Sequence, residues 1–233
     1  MVARALRPLL AAALSLLAAG RALADDVDCG TLKNAYGPYD YRSEYNQVNK
    51  IPIVEGAHFQ PEVESLKLGP PIYHTTYDIM GGLDYTLRAI PNHHRALATL
   101  IRFAKRGWKT DPYRTPDCYF DRAIRFAADD GPVRLLFGTY LHQKKDYKNA
   151  EKQYLAADQL MPGSMDVSYN LGLLYFDMGQ RQKAKEQAIS AYSRGYPLSG
   201  LRDRLVRAGL WSRSEDDQVA QALKEATSTP EQQ

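Results

Sequence analysis

Between Gly131 and about Tyr196 the chain repeats itself at a spacing of 34 residues, and nothing else in it limits the fold so tightly. Gly138 returns as Gly172, Ala150 as Ala184 and Ala157 as Ala191, while Phe137 is answered by Leu171 and Leu141 by Tyr175. The stretch Lys145-Asp146-Tyr147 comes back as Gly179-Gln180-Arg181, where a turn must fall between two helices. A fixed period with small residues at set positions is the mark of stacked helix-turn-helix units, none of which buries its apolar face alone. Gly138 and Gly172 let the two helices of a hairpin approach closely, and Ala150 and Ala184 do so from the partner helix. Ala157 and Ala191 are placed to pack on the next hairpin. The expected fold class is all-α.

These positions resemble the tetratricopeptide repeat (TPR): apolar-Gly at Phe137-Gly138 and Leu171-Gly172, a large apolar residue at Leu141 and Tyr175, then the paired alanines. Pro162 closes the first copy where the family often places proline, and Pro197 closes the second one residue late. The resemblance implies a TPR-like helical-hairpin solenoid with repeats over 131–164 and 165–198. A degenerate hairpin is expected before them, over 83–130. In it, Leu83 to Pro91 reads as the second helix of a truncated unit and Asn92 as a helix cap. His93 to Lys105 then fits a first helix, and about Pro116 to Asp129 its partner, with an insertion at 106–117 between them. Gly81-Gly82 reads as a turn ahead of Leu83. Residues 199–226 suit the polar capping helices that terminal repeats need, and 227–233 a frayed tail.

The chain opens with Arg4 and Arg7, an apolar run from Leu9 to Ala19, and Ala22-Leu23-Ala24 before Asp25-Asp26. That is the layout of a secretory signal peptide over 1–24, with cleavage expected after Ala24. The run is short of the roughly 20 residues of a membrane span, so no stable membrane insertion is expected after cleavage; an uncleaved anchor is the competing reading. The expected location is periplasmic, with secretion as the alternative. Arg4, Arg7 and Arg21 leave with the leader, which turns 30 basic and 27 acidic residues into 27 of each. No basic excess remains to draw the mature chain to nucleic acid.

Cys29 and Cys118 are the only two cysteines. In an exported chain an even count is expected to pair, against the alternatives of a reactive thiol or a metal pair. The bond would tie the N-terminal extension, 25–82, to the end of the insertion. That extension is cut by Gly37-Pro38, Pro52, Pro61 and Gly69-Pro70-Pro71 into extended pieces and turns. One short helix is expected at Pro61 to Leu66, where proline precedes acids in a first turn. Tyrosines 36, 39, 41, 45, 73 and 77 are expected to anchor it along the array. It either simply covers the first hairpin or helps form a ligand surface through Tyr39-Asp40-Tyr41-Arg42.

The chemistry-bearing residues point away from catalysis. Adjacent helical residues such as His93 and His94 diverge by about 100°, and no set of four zinc ligands appears at the usual spacing. Nucleotide-binding and hydrolase signatures are missing, and no cofactor is expected. In the TPR family the concave face is lined by first-helix residues, and the resemblance carries this to three sets. They are Asn92, Arg95, Thr99 and Arg102; Leu135, Thr139 and His142; and Asp166, Tyr169, Leu173 and Phe176. Asn170 stands where the family often bonds a ligand backbone. The two arginines could fork onto a carboxylate, while Tyr169, Leu173 and Phe176 form an apolar shelf. The expectation is a non-enzymatic exported adaptor that binds a protein or peptide in this groove, within an envelope assembly or transport system. Two alternatives stand: the extension or the C-terminal cap already fills the groove, or the chain is an exported enzyme or metal-handling protein. The latter would have its site near Tyr41, His58, His74 and His93.

Overall fold

The computed structural model describes residues 29–69 and 73–228; the leader and cleavage site expected from the sequence, and the last five residues, lie outside that range. Every regular element among the described residues is an α-helix. In order they are α1 (Glu44–Asn49), α2 (Ile51–His58), α3 (Pro61–Ser65), α4 (Thr76–Ala89), α5 (His94–Lys105) and α6 (Pro116–Phe126). There follow α7 (Gly131–Gln143), α8 (Tyr147–Leu160), α9 (Met165–Asp177), α10 (Arg181–Tyr192), α11 (Gly200–Arg207) and α12 (Arg213–Ser228).

The chain packs as sequential helix pairs, with α7 along α8 and α9 along α10 as the most extensive contacts. α8 then rests on α9 and α5 on α7, which joins the pairs into a helical-hairpin array. The repeated small residues do what their period implies. Ala150, Ala157, Ala184 and Ala191 are all fully buried. A Cβ on Gly138 would stand 2.4 Å from Tyr154 Cδ1 of the partner helix, so only glycine fits that crossing. Gly172 differs from its repeat mate: its first obstruction would be Leu201 Cδ2 of α11 at 2.4 Å, with the α10 backbone at Ala184 farther off, at 3.4 Å. Its closest neighbour is therefore the next element rather than its own hairpin partner. Helix starts are capped as polar side chains allow: Asp130, Asp146 and Ser164 each accept a main-chain N–H in the first turn of α7, α8 and α9.

Ahead of the pairs the structure departs from expectation. α4 begins at Thr76, held by a capping box between Thr75 and Asp78, and runs straight through Gly81 and Gly82. The glycine pair is no turn. A Cβ at Gly82 would meet the His58 carbonyl oxygen at 2.5 Å, so glycine is there to let the end of α2 lie against α4. The extension is also more helical than its prolines suggested. Pro52 sits at the second position of α2 and Pro61 starts α3, positions where a missing N–H costs nothing.

The Cys29–Cys118 disulfide closes a separation of 89 residues and pins the start of the extension to α6. Such a bond belongs to an oxidising, extracytoplasmic compartment. No described helix is long and apolar enough to cross a membrane. One continuous core runs from Phe59 and Val63 of the extension to Trp211 before α12. A smaller one gathers Ile51, Val54, Ala89 and Ile90 under Tyr36, Tyr39 and Tyr41. Those tyrosines and buried Tyr73 serve as anchors, whereas Tyr45 and Tyr77 are exposed. α12, the last of the described helices, has no buried residue.

Candidate functional site

α5 projects Arg95 and Ala98 one turn apart, toward the start of α7. Asp130 caps α7 and is followed by Pro132, Leu135 and Leu136 on its first two turns. The turn from α8 to α9 brings in Met161, Ser164 and Asp166. Together with His94 these residues line a groove of about 390 Å³. Its floor is aliphatic and its polar groups sit at the rim, the balance expected of a surface that takes apolar side chains. Gly131 matters here for a close approach: a Cβ would stand 2.5 Å from Met161 Cγ and push that side chain off the floor.

The N-terminal border of the groove is made by the extension. Arg95 grips Glu64 of α3 with two hydrogen bonds, Nε to Oε1 at 2.8 Å and Nη2 to Oε2 at 2.5 Å, and reaches Glu55 of α2 at 3.1 Å. Arg102 donates to the Glu64 carbonyl at 2.7 Å and to Thr99 Oγ1 at 2.7 Å, and Arg106 donates to the Leu66 carbonyl at 2.8 Å. The arginine stripe thus holds the C-terminal end of α3, whose carbonyls have no helical partner. Hydrogen bonding to Arg95 keeps the Glu64 carboxyl below the ordinary range and raises the Arg95 guanidinium further.

Beside it lies a buried polar knot. The cap of α5 is His93, not Asn92: His93 Nδ1 accepts from Ala96 N–H at 3.1 Å. Its proton is therefore on Nε2, which donates to Glu55 Oε1 at 2.9 Å. Burial holds this imidazole below its usual pKa, that is, neutral, and the hydrogen bond to Glu55 only partly offsets that. Asn92 is fully buried and bonds Tyr41 N–H at 2.9 Å, Asp40 at 2.8 Å and Asp130 at 2.8 Å, tying the extension to the α6–α7 turn. His94 Nε2 meets Asp130 at 2.8 Å. Arg42 serves Asp40, Asp129 and Asp130 at once, at 2.8, 3.1 and 3.5 Å, and its hydrogen bond to Asp40 drives that carboxyl well below the carboxylate range.

Of the residues that the sequence singled out, the groove brings together Arg95, Leu135 and Asp166. Asn92 and Thr99 are buried beneath the extension, and Arg102 lies one turn beyond the groove, on α3. Thr139 turns back to the Leu135 carbonyl at 3.0 Å. At the C-terminal end His142 meets Asp177 at 2.9 Å, and Arg204 of α11 takes the same carboxylate. Arg204 also lies 4.3 Å over the Phe176 ring, and Tyr169 is buried with its ring stacked on Tyr196 at 4.2 Å. Leu173 is half-buried, and Asn170 donates to the Asp166 carbonyl at 2.8 Å. The apolar shelf is thus largely closed by α11 and by the segment before it.

His94, Ala98, Pro132, Leu136, Met161 and Ser164 complete the groove without having been assigned to it from the sequence. Two of them carried a faint signal, since Pro132 stands where the hairpin before the repeats closes and Met161 directly precedes Pro162, which closes the first repeat. Around the other suggested centre, Tyr41 packs on His93 at 4.3 Å and on His94 at 5.0 Å. His58 instead stacks on Tyr85 at 3.7 Å, and His74 is exposed ahead of α4. Among the described residues no group of three or more His, Cys, Asp or Glu side chains is placed to hold a metal ion. No family model, curated protein or solved structure matches this chain.

Proposed function

We propose that this chain is an exported, non-enzymatic adaptor of the TPR type, holding a segment of a partner protein in the groove between α5, α7 and the α8–α9 turn. The observation that carries the reading is the aliphatic groove of about 390 Å³, left open where the extension covers the rest of the α5 stripe. The 34-residue repetition and the paired packing of α7 with α8 and α9 with α10 support a TPR solenoid as its frame. The disulfide favours an oxidising compartment, in keeping with a periplasmic role in envelope assembly or transport. Against an enzyme or metal-handling centre around His93 stands the commitment of both its ring nitrogens, one to Ala96 N–H and one to Glu55.

The test is a peptide selection on the purified mature chain, repeated with Ala98→Gln and Leu135→Asn, whose melting curves are checked first. Each variant places a polar group on the groove floor, and loss of one well-buried apolar contact costs about 1.5–3 kcal/mol, roughly ten- to a hundredfold in affinity. Peptides that bind both variants as tightly as the parent would refute the groove.

A further inference from the structure

The arginines that the resemblance would offer to an acidic ligand are already spent. Arg95 is shared by Glu64 and Glu55 at 2.5 and 3.1 Å, and Arg102 points its guanidinium at the α3 carbonyl end. His94 is taken by Asp130. The charge left over at the groove is negative. Asp166 is exposed on the first turn of α9 and forms no ion pair among the described residues. Arg194, beside Gly163 of the α8–α9 turn, is folded back onto the Ser190 carbonyl at 2.6 Å. Behind His94 and outside the lining, Asp40, Asp129 and Asp130 share the Arg42 guanidinium, Asp130 is further bonded by His94 and Asn92, and the Asp129 side chain is 73% exposed.

A ligand with a carboxylate would therefore meet the Asp166 carboxylate at the rim of an apolar trough whose own cations, Arg95 and His94, are already paired. A ligand with an ammonium or guanidinium group would find Asp166 as its partner while its apolar side chain fills the trough. Charge complementarity of this kind selects partners more than it adds affinity, because like charges brought together across an interface are costly. We infer that the groove takes a basic–apolar segment of a partner protein, an aliphatic or aromatic side chain flanked by lysine or arginine. This rests on the groove reading above. It reverses the ligand charge that the arginine spacing on α5 suggests.

The probes are three synthetic peptides of equal length with one central leucine pair, flanked by lysine, by glutamine or by glutamate. Binding to the full mature chain is followed by fluorescence anisotropy at low and at physiological salt. The expected order is lysine, then glutamine, then glutamate, with about a three- to thirtyfold spread that shrinks as salt screens the rim. Asp166→Asn should narrow the gap between the lysine and glutamine peptides and leave the glutamine peptide unchanged. Equal binding of all three, or preference for glutamate, with Ala98→Gln still weakening them, would overturn the basic–apolar assignment and leave the groove standing. Failure of all three to bind, or binding that neither Ala98→Gln nor Leu135→Asn weakens, would overturn the groove and the assignment together.

Discussion

Substituting alanine at two helical glycines should move stability in opposite directions. Gly56 in α2 has nothing within 4 Å of where a Cβ would stand, and Gly138 in α7 has the Tyr154 ring at 2.4 and 2.5 Å. In open space alanine is the better helix former by about 1 kcal/mol, so Gly56→Ala should gain up to that amount. At Gly138 the same gain is opposed by a collision. Carbon atoms rest comfortably at about 3.5–4.0 Å, so the Tyr154 ring must retreat by about an ångström or more. It has nowhere easy to go, since Tyr154 is fully buried and its hydroxyl reaches Thr139 at 3.4 Å. Overpacking of this kind costs about 1–3 kcal/mol, which outweighs the propensity term and leaves a net loss near 1 kcal/mol. In a chain of this size that is roughly 2–4 °C in melting temperature. Urea unfolding followed by far-ultraviolet circular dichroism, with thermal melts alongside, measures both variants against the parent. A stabilised Gly138→Ala would refute the argument, because it would mean that α7 and α8 do not cross at that residue.

Two further outcomes follow from the extension. Cys29→Ser or Cys118→Ser removes a cross-link over 89 residues, worth about 4–5 kcal/mol on the chain-entropy account. Limited proteolysis should then cut between 31 and 75 before it reaches α7 to α10, and unchanged resistance would show that the extension holds without the bond. Stability should also fall from about pH 7 to pH 5, where the carboxylates stay ionised in both states. His93 and His58 both have lowered pKa values, chiefly through burial, so the unfolded chain takes up protons near pH 6.5 that the folded chain does not. The groups facing His93 are Glu55, Arg95 and the Tyr41 ring, and His93→Gln should flatten the slope of the urea midpoint against pH. A midpoint that rises on acidification would contradict the buried neutral imidazole.

What a residue does within its own helix and turn was readable without coordinates. Gly138 and Ala150 recur as Gly172 and Ala184 at one spacing, as stacked hairpins require, although Gly172 meets Leu201 of α11 before its own hairpin partner. The pairing of α7 with α8 and of α9 with α10 follows from that rule alone. Cys29 and Cys118 had no other partners to choose from. The α3 helix was legible too, since proline and acids at a helix start act locally.

Only the tertiary structure decided which part of the α5 stripe stays open. Seven-residue spacing puts Arg95 and Arg102 on one face of a helix, and it says nothing about what will cover that face. The cover is Glu64, 31 residues before Arg95, and its choice depends on how α2 and α3 pack on α4 and α5. Gly81-Gly82 misled for the same reason. Its helix is held by a capping box at Thr75 and by the close approach of the His58 carbonyl, a contact no local rule contains. Periodicity reports which side of a helix is apolar, whereas the occupant of that side is set by contacts between remote segments. The groove and its leftover negative charge therefore became visible only once the extension had been laid across the first hairpin.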